Sequence, residues 1–235
     1  MSARPVIFCA IDTPDLPRAI ELAKSVGPVT RGLKLGLEFF CTFGPQGVEK
    51  IRNACPGAEI FLDLKFHDIP NTVASVVRSV SENIAPAYLN VHAQGGHEMM
   101  EAAKAACAKK TKLLAVTILT SVNQKTLVMY DDNLKKLSLE QQVFDLSVFA
   151  HESGLDGVVC SGYEIELIKS DNNFNKDFVF MVPGIRPEGS DKNDQKRVMT
   201  PKEAMSAGAT HLVIGRPITG APDPAAAARK ILDTL

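Results

Sequence analysis

Short apolar, β-branched runs alternate along the chain with segments of helical periodicity. Eight runs have strand character: Val6–Asp12, Gly32–Gly36, Glu59–Phe66, Tyr88–His92, Lys112–Leu119, Gly157–Ser161, Phe178–Pro183 and His211–Gly215. The segments between them carry helix signals. Val73, Val76, Val77, Val80 and Ile84 recur at helical spacing and line one apolar face. Ser138 with Gln141 has capping-box spacing, in which a hydroxyl accepts an N–H that the first helical turn leaves unpaired, and Gly154 stands where that helix should stop. Thr200-Pro201-Lys202-Glu203 combines an N-cap, a first-turn proline and a capping glutamate, with Gly208 as terminator. Asp223-Pro224 opens a last helix in the same manner.

Eight strand–helix repeats in 235 residues predict a parallel sheet closed on itself, a single (β/α)8 TIM barrel over residues 1–235. The rival is an open doubly wound sheet. Its glycine-rich phosphate turn is missing after the first strand, where the chain reads Ala10-Ile11-Asp12-Thr13-Pro14. No linker or low-complexity tract divides the chain. One connection is out of proportion: residues 184–197 read GIRPEGSDKNDQKR, with a single large apolar side chain. Structureless loops of that length are usually functional, and its place after the seventh strand predicts a lid.

Strand side chains alternate between faces, and three strands carry charge on one of them. In the third, Ile60, Leu62, Leu64 and Phe66 suit a layer of helices, which turns Phe61, Asp63 and Lys65 toward the barrel axis. In the first, Ile7, Cys9 and Ile11 face outward and Phe8, Ala10 and Asp12 inward; in the second, Lys34 lies inward between Leu33 and Leu35. Asp12, Lys34, Asp63 and Lys65 are therefore expected to meet at the C-terminal mouth, where barrel enzymes keep their chemistry. Two carboxylates alternating with two ammoniums can satisfy one another, whereas isolated buried charges cannot. Asp68, just past the strand, would add a third carboxylate and leave the cluster at net −1. Lys65 between carboxylates is expected to stay an ammonium, an acid rather than a nucleophilic amine. Two interleaved ammoniums also repel a divalent metal.

The eighth strand ends Ile214-Gly215-Arg216-Pro217. Glycine lets backbone approach an anion, and an arginine beside it can grip phosphate through its planar fork. Loops after strands seven and eight are the usual phosphate site of barrels, and Arg186 in the long loop lies on that side. Composition narrows the remaining classes. Lys+Arg number 26 against Asp+Glu 27, a net charge of −1, so no global field attracts nucleic acid or an anionic membrane. The five cysteines form no CxxC pair, which signals neither a zinc site nor a disulfide framework. The apolar start Val6–Ile11 is stopped by Asp12, too short for a signal peptide, and no run approaches the ~18 apolar residues of a membrane span. A soluble, cytoplasmic chain is expected.

The run Asp63-Leu64-Lys65-Phe66-His67-Asp68-Ile69-Pro70-Asn71-Thr72 resembles the signature of the orotidine 5′-phosphate decarboxylase family in its bacterial form. The resemblance continues through Ala10-Ile11-Asp12, Leu33-Lys34-Leu35-Gly36, Asn90-Val91-His92-Ala93, Thr117-Ile118-Leu119-Thr120-Ser121, Pro183-Gly184-Ile185-Arg186-Pro187, Asp194-Gln195-Lys196-Arg197 and Ile214-Gly215-Arg216-Pro217. A bare DxKxxD is shared with sugar-phosphate decarboxylases and synthases; the extension through Thr72 and the long loop are specific. The resemblance implies decarboxylation of orotidine 5′-monophosphate to UMP and CO2, the last step of de novo pyrimidine synthesis, with no cofactor and no metal. It implies a homodimer in which Asp68 and Thr72 enter the partner's active site. It makes Lys65 the acid that protonates C6 and sets Asp63 against the substrate carboxylate, with Lys34 and Asp68 completing the charged chain. Asp12 and Lys34 would meet the ribose hydroxyls, and Thr120 or Ser121 the pyrimidine edge. Gln195, Gly215 and Arg216 would hold the phosphate with Arg186, while Ile69 and Thr72 join the substrate-binding set.

Three other functions are weighed against this one: a Mg²⁺-dependent sugar-phosphate enzyme on the same barrel, a Schiff-base aldolase using Lys65, and a phosphoribosyl-binding protein without turnover. The flanking carboxylates oppose the neutral amine an aldolase needs, and simple binding leaves the converging charges unexplained. His92 is open between lining the mouth and serving as an ordinary hydrogen-bonded histidine. Met99 and Met100 are expected to pack a helix.

Overall fold

In the computed structural model, which describes residues 6–128, 137–171, 173–188 and 197–235, eight parallel strands close into a barrel in sequence order. They are β1 (Val6–Ala10), β2 (Arg31–Leu35), β3 (Glu59–Phe66), β4 (Tyr88–His92), β5 (Lys112–Val116), β6 (Gly157–Val159), β7 (Val179–Val182) and β8 (His211–Ile214), with β8 pairing back onto β1. The helices are α1 (Leu16–Thr30), α2 (Leu37–Ala54), α3 (Pro70–Asn83), α4 (Gly96–Ala106), α5 (Gln124–Val128), α6 (Leu139–Glu152), α7 (Ile165–Lys169), α8 (Pro201–Ala207), α9 (Arg216–Thr219) and α10 (Pro224–Leu232).

Local sequence accounts for the helix ends. Ser138 Oγ accepts from Gln141 N at 3.1 Å to start α6. Thr200 and Glu203 form a reciprocal capping box on α8, and Gly208 closes it at φ +105°. Asp223 accepts from Ala226 N at 2.9 Å to start α10. In α3, Val73, Val77 and Val80 are buried with Ile84 beyond them, and Met99 and Met100 are buried in α4.

Two apolar layers follow the alternation of the strands. Ile7, Cys9, Leu33, Leu35, Ile60, Leu62 and Leu64 pack outward against the helices. Phe8, Phe61, Tyr88, Leu114, Met181 and Val213 fill the barrel. Phe8 meets Phe61 and Tyr88 edge to face, at centroid separations of 6.0 and 5.3 Å. This plug makes the interior a packed core and leaves the C-terminal mouth as the open end. All eight expected strands are present, but six ladders stop short of the apolar sequence, at Ala10, Leu35, Val116, Val159, Val182 and Ile214. The residues past those points leave the sheet and build the rim. Among the described residues, no helix is long and apolar enough to cross a membrane.

Candidate active site

A cavity of about 670 Å³ opens at the C-terminal mouth. Asp12, Lys34, Asp63 and Lys65 line it, together with Thr120, Ser121, Arg186, Gly215 and Arg216. Its apolar floor is formed by Ala10, Phe61, Val116, Val159 and Val213. The four charges expected from strand alternation therefore converge. Lys65 Nζ is 2.6 Å from Asp63 Oδ1, and Lys34 Nζ is 3.2 Å from Asp63 Oδ2 and 3.9 Å from Asp12 Oδ2. Asp12 also accepts the amide of Phe39 at 3.1 Å, which ties the mouth to the first turn of α2. Gly36 leaves room for both: a Cβ there would collide with the Asp12 carboxylate and come 3.1 Å from Lys34 Nζ, so these side chains would have to shift.

Asp63 is the electrostatic centre of the cluster. Burial alone would push its carboxyl up, but Lys34, then Lys65, and the hydrogen bonds from Lys65 and Asn90 hold it down at about 2. It is ionised at any working pH. Around these four residues the charges balance.

Asp68 lies elsewhere in its own chain. It is exposed, its carboxylate accepts the Ile69 amide at 2.7 Å, and it does not line the cavity, so Asp68 does not join the cluster as a third carboxylate within this chain. Ile69 is 67% exposed and Thr72 is exposed, both away from the cavity. Pro70 explains the turn: it holds Ile69 in an extended conformation (φ −58°, ψ 152°) and starts α3 immediately after it. Gln195, expected in the long loop, lies outside the described residues.

The described ends of that loop are tied down. Arg186 N donates to Met199 O at 2.9 Å, and Arg186 is buried with Nη1 on Ile185 O at 2.9 Å. At the other end Arg197 pairs with Glu164, a fully buried carboxylate, and Nη2 donates to the carbonyls of Ile118 at 2.8 Å and Leu119 at 3.3 Å. Burial pushes the Glu164 carboxyl up to about 7, against the pull of Arg197. Ile118 and Leu119 line the cavity, so Arg197 joins the loop to the wall that carries Thr120. Sequence reasoning missed this pair, since its members are 33 positions apart and share no local pattern. It gave no role to Asn90, quoted only within the resemblance, although an inward place on β4 follows from the alternation that flagged the charges. His92 is half-buried, stacked on His67 at 5.3 Å. Burial first, then His67 and Lys65, lower its pKa to about 4, and its Nδ1 has no hydrogen-bond partner.

A closed parallel barrel with an alternating charge cluster at its C-terminal mouth and two arginines in the same cavity has the layout of a (β/α)8-barrel enzyme. Residues 5–231 match the family model described as the orotidine 5′-phosphate decarboxylase / HUMPS family, and the chain belongs to that family. It is 48% identical over 229 residues to the orotidine 5′-phosphate decarboxylase of Sphingopyxis alaskensis, covering 97% of this chain and 98% of that one. It is 47% identical over 230 residues to the enzyme of the same name from Marinomonas sp., covering 96% and 94%. Among solved structures, the orotidine 5′-phosphate decarboxylase of Lactobacillus acidophilus superimposes with a TM-score of 0.81 at 35% identity, covering 99% of each chain.

Proposed function

We propose that this chain decarboxylates orotidine 5′-monophosphate to UMP and CO2, the last step of de novo pyrimidine synthesis, as a single cytoplasmic domain that needs no cofactor. The observation that carries the reading is Asp63, a buried carboxylate kept ionised between two ammoniums, in one cavity with Arg186 and Arg216. Family membership and the full-length relatives supply the substrate. Five free cysteines fit a reducing compartment.

When the bond between C6 and the carboxylate breaks, CO2 leaves and the electron pair stays on C6, which has no adjacent carbonyl to receive it. The Lys65 ammonium, already held by Asp63, stabilises that charge without waiting for solvent to reorganise. It then gives its proton to C6, forming UMP, and the neutral amine regains a proton from water. Asp63 beside the substrate carboxylate disfavours the ground state. Each Asp63 oxygen is engaged by an ammonium, which places cations where a divalent ion would otherwise coordinate. Asp12 and Lys34 hold the ribose hydroxyls, and Thr120 or Ser121 meets the pyrimidine edge.

Arg216, Arg186, Gly215 and Gln195 take the phosphate. It is remote from the breaking bond, so its grip can drive closure of the 184–197 loop and convert binding energy into an ordered, dry site. Asp68, Ile69 and Thr72 act across a homodimer interface. Their exposure, with Ile69 the most exposed of the large apolar side chains among the described residues, supports placement in the partner's site. The test is absorbance loss from orotidine 5′-monophosphate with UMP analysis, with and without EDTA. UMP formation insensitive to EDTA is expected; no turnover, or turnover abolished by EDTA, would overturn the proposal.

A further inference from the structure

β3 and β4 fall out of step at the site. Leu62 pairs with Leu89 and Phe66 with Val91, so four residues of β3 advance against two of β4. The excess falls on Asp63-Leu64-Lys65. An excess of two preserves the alternation of faces, which is why both charged side chains still point inward. Lys65 takes up the distortion at φ +50°, a left-handed conformation that a residue with a Cβ adopts only when its surroundings enforce it.

A bulge of this kind strips the displaced amide of its ladder partner, and a buried N–H needs an acceptor. Here the acceptor is a side chain. Lys65 N–H donates to Asn90 Oδ1 at 2.7 Å. The other end of the same carboxamide, Nδ2, donates to Asp63 Oδ1 at 2.7 Å, the oxygen that receives Lys65 Nζ at 2.6 Å. Asn90 is fully buried, so water does not compete for either bond.

We propose that Asn90 is a positioning residue for the decarboxylation: one planar amide fixes both the strained backbone of Lys65 and the carboxylate that holds its ammonium. The requirement is specific, because the site needs an acceptor and a donor on one short rigid group. Aspartate supplies only the acceptor, leucine neither, and glutamine is a methylene too long. The inference rests on the reading of Lys65 as the proton donor, and its structural half can be tested apart from that reading.

The test compares Asn90→Ala and Asn90→Asp with the parent protein in kcat, KM, UMP affinity, pH profile and crystal structure. Asn90→Ala is expected to lower kcat about 100-fold, the scale of a 1 Å misplacement of a reacting group. KM and UMP affinity should change little, and Lys65 should leave φ +50° or move its Nζ off Asp63. Asn90→Asp keeps the acceptor for Lys65 N–H but sets a second carboxylate against Asp63, so the acid limb of kcat should move to higher pH. Asp63 is otherwise faced by Lys34 from β2 and by Lys65 on its own strand, with Asp12 and His92 one contact further, and the substitution alters none of them. If the alanine variant does not fold, the aspartate variant alone decides by this shift. An unmoved Lys65, a loss confined to KM, or an unshifted acid limb would overturn the proposal. If Lys65→Ala kept full turnover, the proton-donor reading would fail, while the crystal structure of Asn90→Ala would still report whether Asn90 holds Lys65.

Discussion

Replacing Lys34 by methionine removes one charge from the cluster with little change of shape. Lys34 Nζ lies 3.2 Å from Asp63 Oδ2, and the two side chains are 11% and 12% exposed. At an effective dielectric of ~20, unit charges at that separation attract by about 5 kcal/mol before desolvation is subtracted. Removing one partner of a buried pair typically costs about 3–5 kcal/mol. Asp63 keeps Lys65 and Asn90, so the lower end, about 3 kcal/mol at pH 7, is expected. The pH dependence follows from Asp63. Its folded pKa of about 2 lies below the ordinary 3.8, so the unfolded chain binds more protons between those values. The resulting stabilisation of about 2 kcal/mol is fully present above pH 3.8 and is lost as pH falls through 2. Without Lys34 the carboxyl titrates higher, this stabilisation shrinks, and acid unfolding begins at higher pH. Urea titrations at pH 7 and an acid-unfolding curve measure both effects. Adding Asp63→Asn should recover part of the loss, because the orphaned charge is gone. Parent-like stability in Lys34→Met, with strict additivity in the double variant, would refute the coupling.

The anion end, the proposed homodimer and the histidines can each be probed separately. Arg216→Ala should raise KM for orotidine 5′-monophosphate by about 10–100-fold, the worth of a charge-assisted hydrogen bond, with a smaller effect on kcat; an unchanged KM would contradict the phosphate assignment. Mixing Lys65→Ala with Asp68→Ala subunits should restore activity that neither shows alone, since mixed dimers rebuild one complete site; failure to restore any would argue against a shared site. His211 is held at about 4 by burial first and then Lys112, and His92 at about 4, both below the ordinary 6.5. The unfolded chain therefore binds more protons between pH 6.5 and 4, and both histidines make the fold less stable as pH falls through that window. NMR titration should find both midpoints near 4, and midpoints near 6.5 would contradict the burial argument.

Much of this architecture was legible because alternation in a strand is a strict geometric rule. It separated Phe8, Ala10 and Asp12 from Ile7, Cys9 and Ile11, and it brought Lys34, Asp63 and Lys65 to the same mouth. Strand ends were overrun because burial continues where the ladder stops. Ile11, Thr117, Ile118 and Cys160 are all buried yet lie beyond their strands, so an apolar run marks the core rather than the hydrogen bonding. The left-handed backbone at Lys65 had no signal in the sequence, since lysine carries none of the preferences that mark a glycine or asparagine turn. Arg197 and Glu164 meet only once the barrel is closed. Asp68 and Thr72 are exposed, and the alternation that located the charge cluster gives neither of them a role.

In the proposed reaction Lys65, held by Asp63 and Asn90, is the proton donor at C6. Lys65→Ala measured for both turnover and UMP affinity addresses it most directly. Turnover should fall by at least about 10⁴-fold, as proton transfer and charge stabilisation are lost together, while UMP binding through the phosphate end remains measurable. Decarboxylation within about tenfold of the parent rate, an effect far smaller than that of losing a general acid, would contradict the claim.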